Sequence, residues 1–182
     1  NSYDFSWAKT VVDVGGGAGY FIKNILERYL DINGVLYDQE GVVGQSVFSN
    51  TSEFDGRIEV TGGDFFKHVP SGGDLYTVCR TLLNWNDEKS INLLENCHQA
   101  IQKNGKLLIV DFFLPEPGDP KYLQSAVNDL YLFVAVDSAI RTEAQWRQLI
   151  DQTPFKLSSF IRAEDTAESS TFCPMCLIEL TV

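Results

Sequence analysis

The 182-residue chain carries two histidines, one methionine and four cysteines. The cysteines do not fall into the spacing of an extracellular disulfide framework, which predicts reduced thiols and a cytoplasmic location. Positive charge is scarce: 14 Lys and Arg stand against 25 Asp and Glu, for a net charge of −11. Such a surface repels phosphate backbones and anionic membranes, which argues against nucleic acid and membrane partners. No apolar run reaches membrane-span length, and the opening residues NSYDFSWAKT lack the pattern of a signal peptide. Internal repeats, low-complexity tracts and long linkers are missing as well. What remains is 44% hydrophobic and 21% charged, the balance of a folded globular chain. A single domain of this length buries roughly 70% of its unfolded surface and needs no disulfide staple.

Strand-like and helix-like segments alternate from end to end. Thr10 to Val14 is a β-branched run ending in glycines. Ala18 to Leu30 places Phe21, Ile22, Ile25, Leu26, Tyr29 and Leu30 on one helical stripe. Gly34 to Asp38 reads as a strand, Gly41 to Phe48 as a helix, and Arg57 to Thr61 and Asp74 to Arg80 as strands three and four. From Asp87 to Gln102, Ile91, Leu94, His98 and Ile101 recur at helical spacing, with Gly105 as the left-handed stop. Lys106 to Phe113 is a nearly continuous apolar strand, as in the buried middle of a parallel sheet. A helix from Lys121 to about Ala139 follows. Thr142 then caps another, with Gln145 three residues on as in a capping box. Phe155 to Arg162 and Thr171 to Val182 form a closing β-hairpin. This order predicts an α/β fold: a Rossmann-like, doubly wound, seven-stranded sheet with an antiparallel C-terminal strand. The stretch Leu130 to Val136 is apolar all round, which predicts a helix buried on both sides, either by this chain or by something beyond it.

Three features converge on one rim of such a sheet. The run Val11-Val12-Asp13-Val14-Gly15-Gly16-Gly17-Ala18-Gly19 lies between a strand and a helix, where glycines let the backbone turn sharply and approach a ligand. The dinucleotide fingerprint needs glycine at position 20, where Tyr20 stands, so the spacing favours an adenosyl ligand without a pyrophosphate. Asp38 ends strand two and can accept both ribose hydroxyls; a surface loop acid is the plainer alternative. Gly63-Asp64-Phe65-Phe66 follows strand three, where a carboxylate and an aromatic ring suit adenine, unless the phenylalanines simply fill the core.

These residues resemble the class I S-adenosylmethionine-dependent methyltransferases, and more narrowly the small-molecule O-methyltransferases of plant caffeate type and their bacterial natural-product-tailoring relatives. The likeness runs through VVDVGGGAG, YDQE, GGDFFKHVP, CRTLLNWNDEKSINLLENC, GKLLIVDFFLPEPGD and IRTEAQWRQLI. It implies that residues 1–182 form the methyltransferase domain, with S-adenosylmethionine as cofactor at Gly15, Gly17, Asp38, Gln39, Asp64 and Phe65, and with Cys79 at a family cofactor position. It implies no metal. It also implies a small-molecule methyl acceptor and an amino-terminal winged-helix region, absent here, that forms a homodimer and helps close the pocket.

The family's His-Asp-Trp after strand four, whose histidine deprotonates the substrate hydroxyl, reads Leu83-Asn84-Trp85 in this chain. An acid that orients the histidine falls at Asp111, but a second falls at Ile140. The catalytic group is therefore left unassigned. A phenol of pKa about 10 is ionised roughly one part in a thousand at pH 7, so reaching its anion without a base costs about 4 kcal/mol. Leu83 thus argues against ordinary alcohols and phenols and for an already acidic nucleophile, while leaving cofactor binding intact. Other candidates carry plainer alternatives. His68 is a substitute base or a solvated loop residue, and His98 a core or boundary residue. Cys173 and Cys176 have redox spacing but read better as buried thiols. Asp129 and Asp137 bracket the apolar helix, and Asp129 either faces the pocket as a base or lies on the helix surface. Trp85, Phe112 and Tyr131 line an aromatic slot or fill core. Two further readings remain open: an adenosyl site recruited to other chemistry, and a non-catalytic binding domain.

Overall fold

The structure, a computed structural model, describes residues 3–49, 51–54, 56–136, 138–162 and 173–182. Its elements alternate as β1 (Thr10–Val14), α1 (Tyr20–Arg28), β2 (Asn33–Asp38), α2 (Glu40–Val43), β3 (Ile58–Gly62) and β4 (Leu75–Cys79). A 3-10 turn at Leu82–Asn84 leads into α3 (Asp87–Ala100), β5 (Lys106–Phe112), α4 (Tyr122–Val136), α5 (Glu143–Ile150), β6 (Lys156–Arg162) and β7 (Met175–Thr181). The strands form one sheet in the order β3-β2-β1-β4-β5-β7-β6. The first five run parallel, and β7 inserts antiparallel between β5 and β6. The doubly wound sheet with its antiparallel closing strand is therefore the one expected.

Two cores flank this sheet, because the central strands are apolar on both faces. On one face Leu93 and Leu94 of α3 and Trp146 and Leu149 of α5 pack on β1, β4 and β5. On the other, Ile22, Ile25 and Leu26 of α1 pack on β1, β2 and β5. The capping box forms as expected: Gln145 N–H donates to Thr142 Oγ1 at 3.2 Å, and Thr142 N–H to Gln145 Oε1 at 2.8 Å. Strand order reverses between β1 and β4, so the loops leaving these two neighbours diverge and open a crevice at the carboxyl rim.

Four expectations need correction. The helix after β2 closes at Val43 instead of reaching Phe48, because Gly44 caps it and the chain continues in turns. Gly105 does not supply a left-handed stop: α3 ends where Ile101 turns extended, and Gly105 serves close packing, since a Cβ there would lie 2.5 Å from Ile101 Cγ1. The buried stripe of α3 runs through Ser90, Leu93, Leu94 and Cys97, with Ile91 and His98 at its half-buried edge. Most consequential is α4, for which one of the two expected alternatives, cover of its second side by this chain, does not hold among the described residues. Leu130, Phe133 and Val134 are 62%, 58% and 76% exposed, because none of the described residues packs over that face. Asp137, which follows α4, and Thr171, the expected start of the last strand, lie outside the described residues.

Candidate functional site

A cavity of about 500 Å³ opens where the rim divides, lined by the glycine turn after β1, the start of α1 and the ends of β4 and β5. The turn needs glycine at two points in particular. Gly15 has φ +68°, and a Cβ would fall 2.7 Å from Thr81 Cγ2. Gly17 has φ +59° with nothing within 4 Å of a Cβ, which leaves its outer side open to a ligand. Backbone bonds hold the turn to β2: Gly15 N–H donates to Tyr37 O at 2.8 Å. Asp38 completes the brace, its Oδ2 accepting Gly17 N–H at 2.8 Å and its Oδ1 accepting Gln39 N–H at 2.7 Å. Asp38 is thus half-buried and fixed, with lone pairs left on both oxygens.

The sequence-derived residues divide into three groups. Gly15, Gly17, Cys79 and Leu83 line the cavity together, and Asp38 touches it through Gly17. Gln39 and Asp64 stand along the same rim past β2 and β3. Gln39 is exposed, while Asp64 Oδ1 accepts Phe66 N–H at 3.0 Å and its Oδ2 pairs with Lys67 at 3.4 Å. Phe65 is 5% exposed, its ring packed edge-on against Phe66 and Trp85, so the plainer core reading describes that ring. Trp85 lines a second cavity of about 560 Å³, together with Phe133 and Arg141. Asp129 borders neither cavity; its Oδ1 accepts Ile140 N–H at 2.7 Å, tying α4 to the chain that follows. Leu83 is shared by both cavities and forms the wall between them.

Leu83 is held firmly. Its N–H donates to Asp111 Oδ2 at 3.2 Å, and its carbonyl accepts Ser138 Oγ–H at 2.6 Å. Asp111 is fully buried below it, and burial pushes its carboxyl up to about 7. Neither histidine borders the cavities: His98 lies edge-on to Phe155 at 5.0 Å and His68 tilts against Tyr37. Cys79 is no nucleophile, since burial, with help from the nearby Asp13 charge, pushes its thiol up to about 12. Cys173 and Cys176 are buried free thiols, as read from the sequence. Tyr131 is exposed on α4, and Phe112 lines the first cavity.

Sequence reasoning passed over two cavity residues. Asp13 is fully buried, Thr77 Oγ–H donates to its Oδ1 at 2.7 Å, and its Oδ2 has no partner. A charged residue inside the β-branched run VVDVG was the available signal. Arg80 has φ +51°, a conformation that costs a non-glycine residue roughly 1–2 kcal/mol. Arg80 lines the cavity, and its guanidinium forms no hydrogen bond or ion pair among the described residues. No local pattern announces it. A nucleoside with an amino-acid tail fits this set: an open glycine face, a rim carboxylate at Asp38, and opposite charges at Arg80 and Asp13 for carboxylate and ammonium.

Comparison with known proteins agrees. The family model described as "O-methyltransferase domain" matches residues 1–156. The chain is 37% identical to the phenazine O-methyltransferase PhzM of Lysobacter antibioticus over 86% of this chain and 46% of that protein. It is 35% identical to the O-methyltransferase SfmM3 of Streptomyces lavendulae over 85% of this chain and 48% of that protein. The structure of CalO1, a methyltransferase in calicheamicin biosynthesis in its SAH-bound form, superposes with a TM-score of 0.85 at 30% identity, covering 99% of this chain and 50% of that one. The chain thus spans about half the length of the curated relatives it matches. Its sheet order, its glycine turn and these likenesses leave one assignment, and the chain belongs to the O-methyltransferase domain family.

Proposed function

We propose that residues 1–182 are the cofactor-binding domain of an S-adenosylmethionine-dependent O-methyltransferase acting on a small organic acceptor. The observation that carries this reading is the pair of cavities meeting at Leu83, one walled by the glycine turn and the other by Trp85 and Phe133. Gly15, Gly17 and Asp38 hold the nucleoside, with Gln39 and Asp64 further along the rim and Cys79 at the cavity wall. Arg80 takes the carboxylate of the amino-acid tail. When bound, S-adenosylmethionine supplies an electrophilic methyl group, so the chain's main task is to align it with the acceptor, which contributes several kcal/mol.

The junction itself is hydrocarbon. Leu83 offers no proton acceptor, and Asp111 beneath it is sealed by the two backbone amides it already binds. The acceptor is therefore an oxygen acid already ionised near neutral pH, such as a carboxylic acid or an acidic enol or phenol. The exposed apolar face of α4, together with relatives of twice this length, supports a preceding region that forms a homodimer and covers Leu130, Phe133 and Val134. Trp85, Leu83 and the Phe133 face of α4 then border the acceptor. All four cysteines are free, which supports a reducing, cytoplasmic setting.

Calorimetry with adenosylhomocysteine, followed by mass spectrometry of any small molecule that copurifies with the protein, tests this reading. Binding is expected, and the copurified acceptor should yield methylated product and adenosylhomocysteine in equal amounts. Absence of binding overturns the assignment. Turnover of the acceptor without cofactor consumption would move it to an adenosyl site recruited to other chemistry.

A further inference from the structure

Three charged side chains line the second cavity, Asp87, Lys89 and Arg141, and they are spent differently. Arg141 is committed to the protein. Its Nε and Nη2 donate to Asp87 Oδ1 at 3.0 and 2.8 Å, its Nη1 to Leu82 O at 3.0 Å, and its Nη2 also to Trp85 O and Ser90 Oγ. Asp87 and Arg141 therefore cancel, and the charge left over is the ammonium of Lys89.

Lys89 stands in the first turn of α3, and its side chain forms no hydrogen bond or ion pair among the described residues. The cause lies in the sequence. Helical partners come from three or four positions away, and those positions hold Trp85, Asn86, Asn92 and Leu93, none of them an acid. A cation in a first turn also works against the helix dipole, so Lys89 does nothing for α3 that a neutral side chain would not do better. Its ammonium stands instead 4.6 Å from the ring centre of Trp85 and 5.6 Å from that of Phe66. These rings hold the charge beside the cavity without neutralising it. The chain as a whole carries a net charge of −11, a field that turns anions away. An anionic acceptor needs a local cation to offset that field, and Lys89 is the one this cavity offers.

We propose that Lys89 is a specificity-determining residue that binds an anionic substituent of the acceptor, separate from the oxygen that is methylated. This inference rests on the two-cavity reading above and sharpens its substrate class. Leu83 walls both cavities, so the methyl group crosses there and the reacting oxygen lies against it. Lys89 lines the second cavity and not the first, so the charge it meets sits elsewhere on the acceptor. Trp85 and Phe133 supply aromatic surface along the same cavity. The class these features fit is an aromatic ring bearing both an acidic hydroxyl and a carboxylate.

Two matched probes test the assignment, 4-hydroxy-3-nitrobenzoate and 4-hydroxy-3-nitrobenzamide. In both, the nitro group makes the hydroxyl acidic enough to ionise near neutral pH without a base, and only the first carries a carboxylate. Calorimetry at about pH 8, on the whole chain saturated with adenosylhomocysteine, should show the acid binding about fivefold more tightly than the amide at low salt. The ratio should shrink as ionic strength rises. Lys89→Gln should bring it close to unity, Lys89→Glu should invert it and Lys89→Arg should keep it. Lys103→Gln, which removes the same charge from the exposed turn after α3, should keep it too. Equal binding of the two probes by the unaltered chain, a ratio insensitive to salt, or a preference that survives Lys89→Gln overturns the proposal. Binding of neither probe by a chain that has taken up adenosylhomocysteine also overturns it, while leaving the cofactor reading intact. If adenosylhomocysteine itself does not bind, the cofactor reading falls first and takes the assignment of Lys89 with it.

Discussion

Asp13 and Asp111 lie on β1 and β5, the two strands that flank β4, and both are buried without exposed surface. Burial pushes both carboxyls up to about 7. Their bonding separates them. Asp111 uses both oxygens, Oδ1 accepting Phe112 N–H at 2.8 Å and Oδ2 accepting Leu83 N–H at 3.2 Å. Asp13 uses one and leaves the other unpaired at a cavity floor. A buried acid with both oxygens engaged fastens the chain; one with an orphaned oxygen at a cavity is shaped for a ligand. In a family whose chemistry usually needs a histidine above the Asp111 position, this chain keeps the acid as a fastening and places Leu83 over it.

The largest effect of this pair is on stability against pH. Both acids bind a proton more readily in the folded chain than in the unfolded one, where carboxyl pKa values lie near 4. Their contribution is therefore fully present below about pH 4 and is lost as pH rises through about 7, with a ceiling of about 4 kcal/mol for each group. Glu143 and Glu179, held low mainly by partners such as Arg147 and Tyr3, act in the opposite direction at more acidic pH. Urea unfolding at pH 5.5 and pH 8 should give the lower midpoint at pH 8. Saturating adenosylhomocysteine should remove the share due to Asp13 and leave that of Asp111. A midpoint that rises between the two pH values would contradict the buried-acid account.

Next in size is the cost of removing each acid. Asp111→Ala strands the Leu83 and Phe112 amides in the core and should destabilise the chain by about 2–4 kcal/mol. Asp13→Asn keeps an acceptor for Thr77 and removes a buried charge, so its stability at pH 8 should stay within about 1 kcal/mol of the original. Chemical denaturation separates these outcomes. Equal losses would erase the distinction between a fastening and a ligand-facing acid.

Much of this architecture is legible in the sequence because its signals are local. β1 falls on Thr10–Val14 as read, and the capping box at Thr142 and the turn at Gly15 follow from residue chemistry within a few positions. The misreadings share a different cause. A helix that is apolar all round says that α4 must be covered but not by what, so its exposed Phe133 face could be expected only as burial. Phe65 follows a strand facing the site, yet its ring turns into the core toward Trp85, a contact set 20 residues away in the chain. The left-handed Arg80 is imposed by tertiary packing, its N–H held to Val110 O at 2.8 Å on the neighbouring strand. Asp13 announced itself only as a charge out of place.

On the cofactor side of the comparison, Asp38 joins Asp13 in facing the ligand. Asp38→Ala should weaken adenosylhomocysteine binding by about 1.5–3 kcal/mol, the range for hydrogen bonds to a charged group. The loss has two sources, the ribose hydroxyls and the Gly17 N–H that Asp38 Oδ2 holds at 2.8 Å. Asp38→Asn, which keeps an acceptor for that amide, should recover part of it. Unchanged affinity in both variants would remove Asp38 from the ribose.

The smallest effect is expected where the family's chemistry would suggest the largest. Leu83→His restores a ring at the wall between the cavities, and a positioned base contributes about 100-fold or more. A histidine works as a base only when a carboxylate fixes its tautomer and orientation. Asp111 is engaged through Oδ2 with the backbone of this very residue and through Oδ1 with Phe112. The position of the second supporting acid holds Ile140, a buried hydrocarbon side chain, with its N–H committed to Asp129. Asn84, beside it, donates its side-chain amide to Arg80 O and Thr81 O. The new ring thus has no free carboxylate to orient it, and methylation of simple phenols should rise by less than about tenfold. Initial rates with catechol, measured for both proteins at pH 7.5, decide the matter. A hundredfold gain would mean that Asp111 can release the Leu83 amide and serve a histidine after all, and the contrast between the two buried acids would then reflect only which residue stands above them.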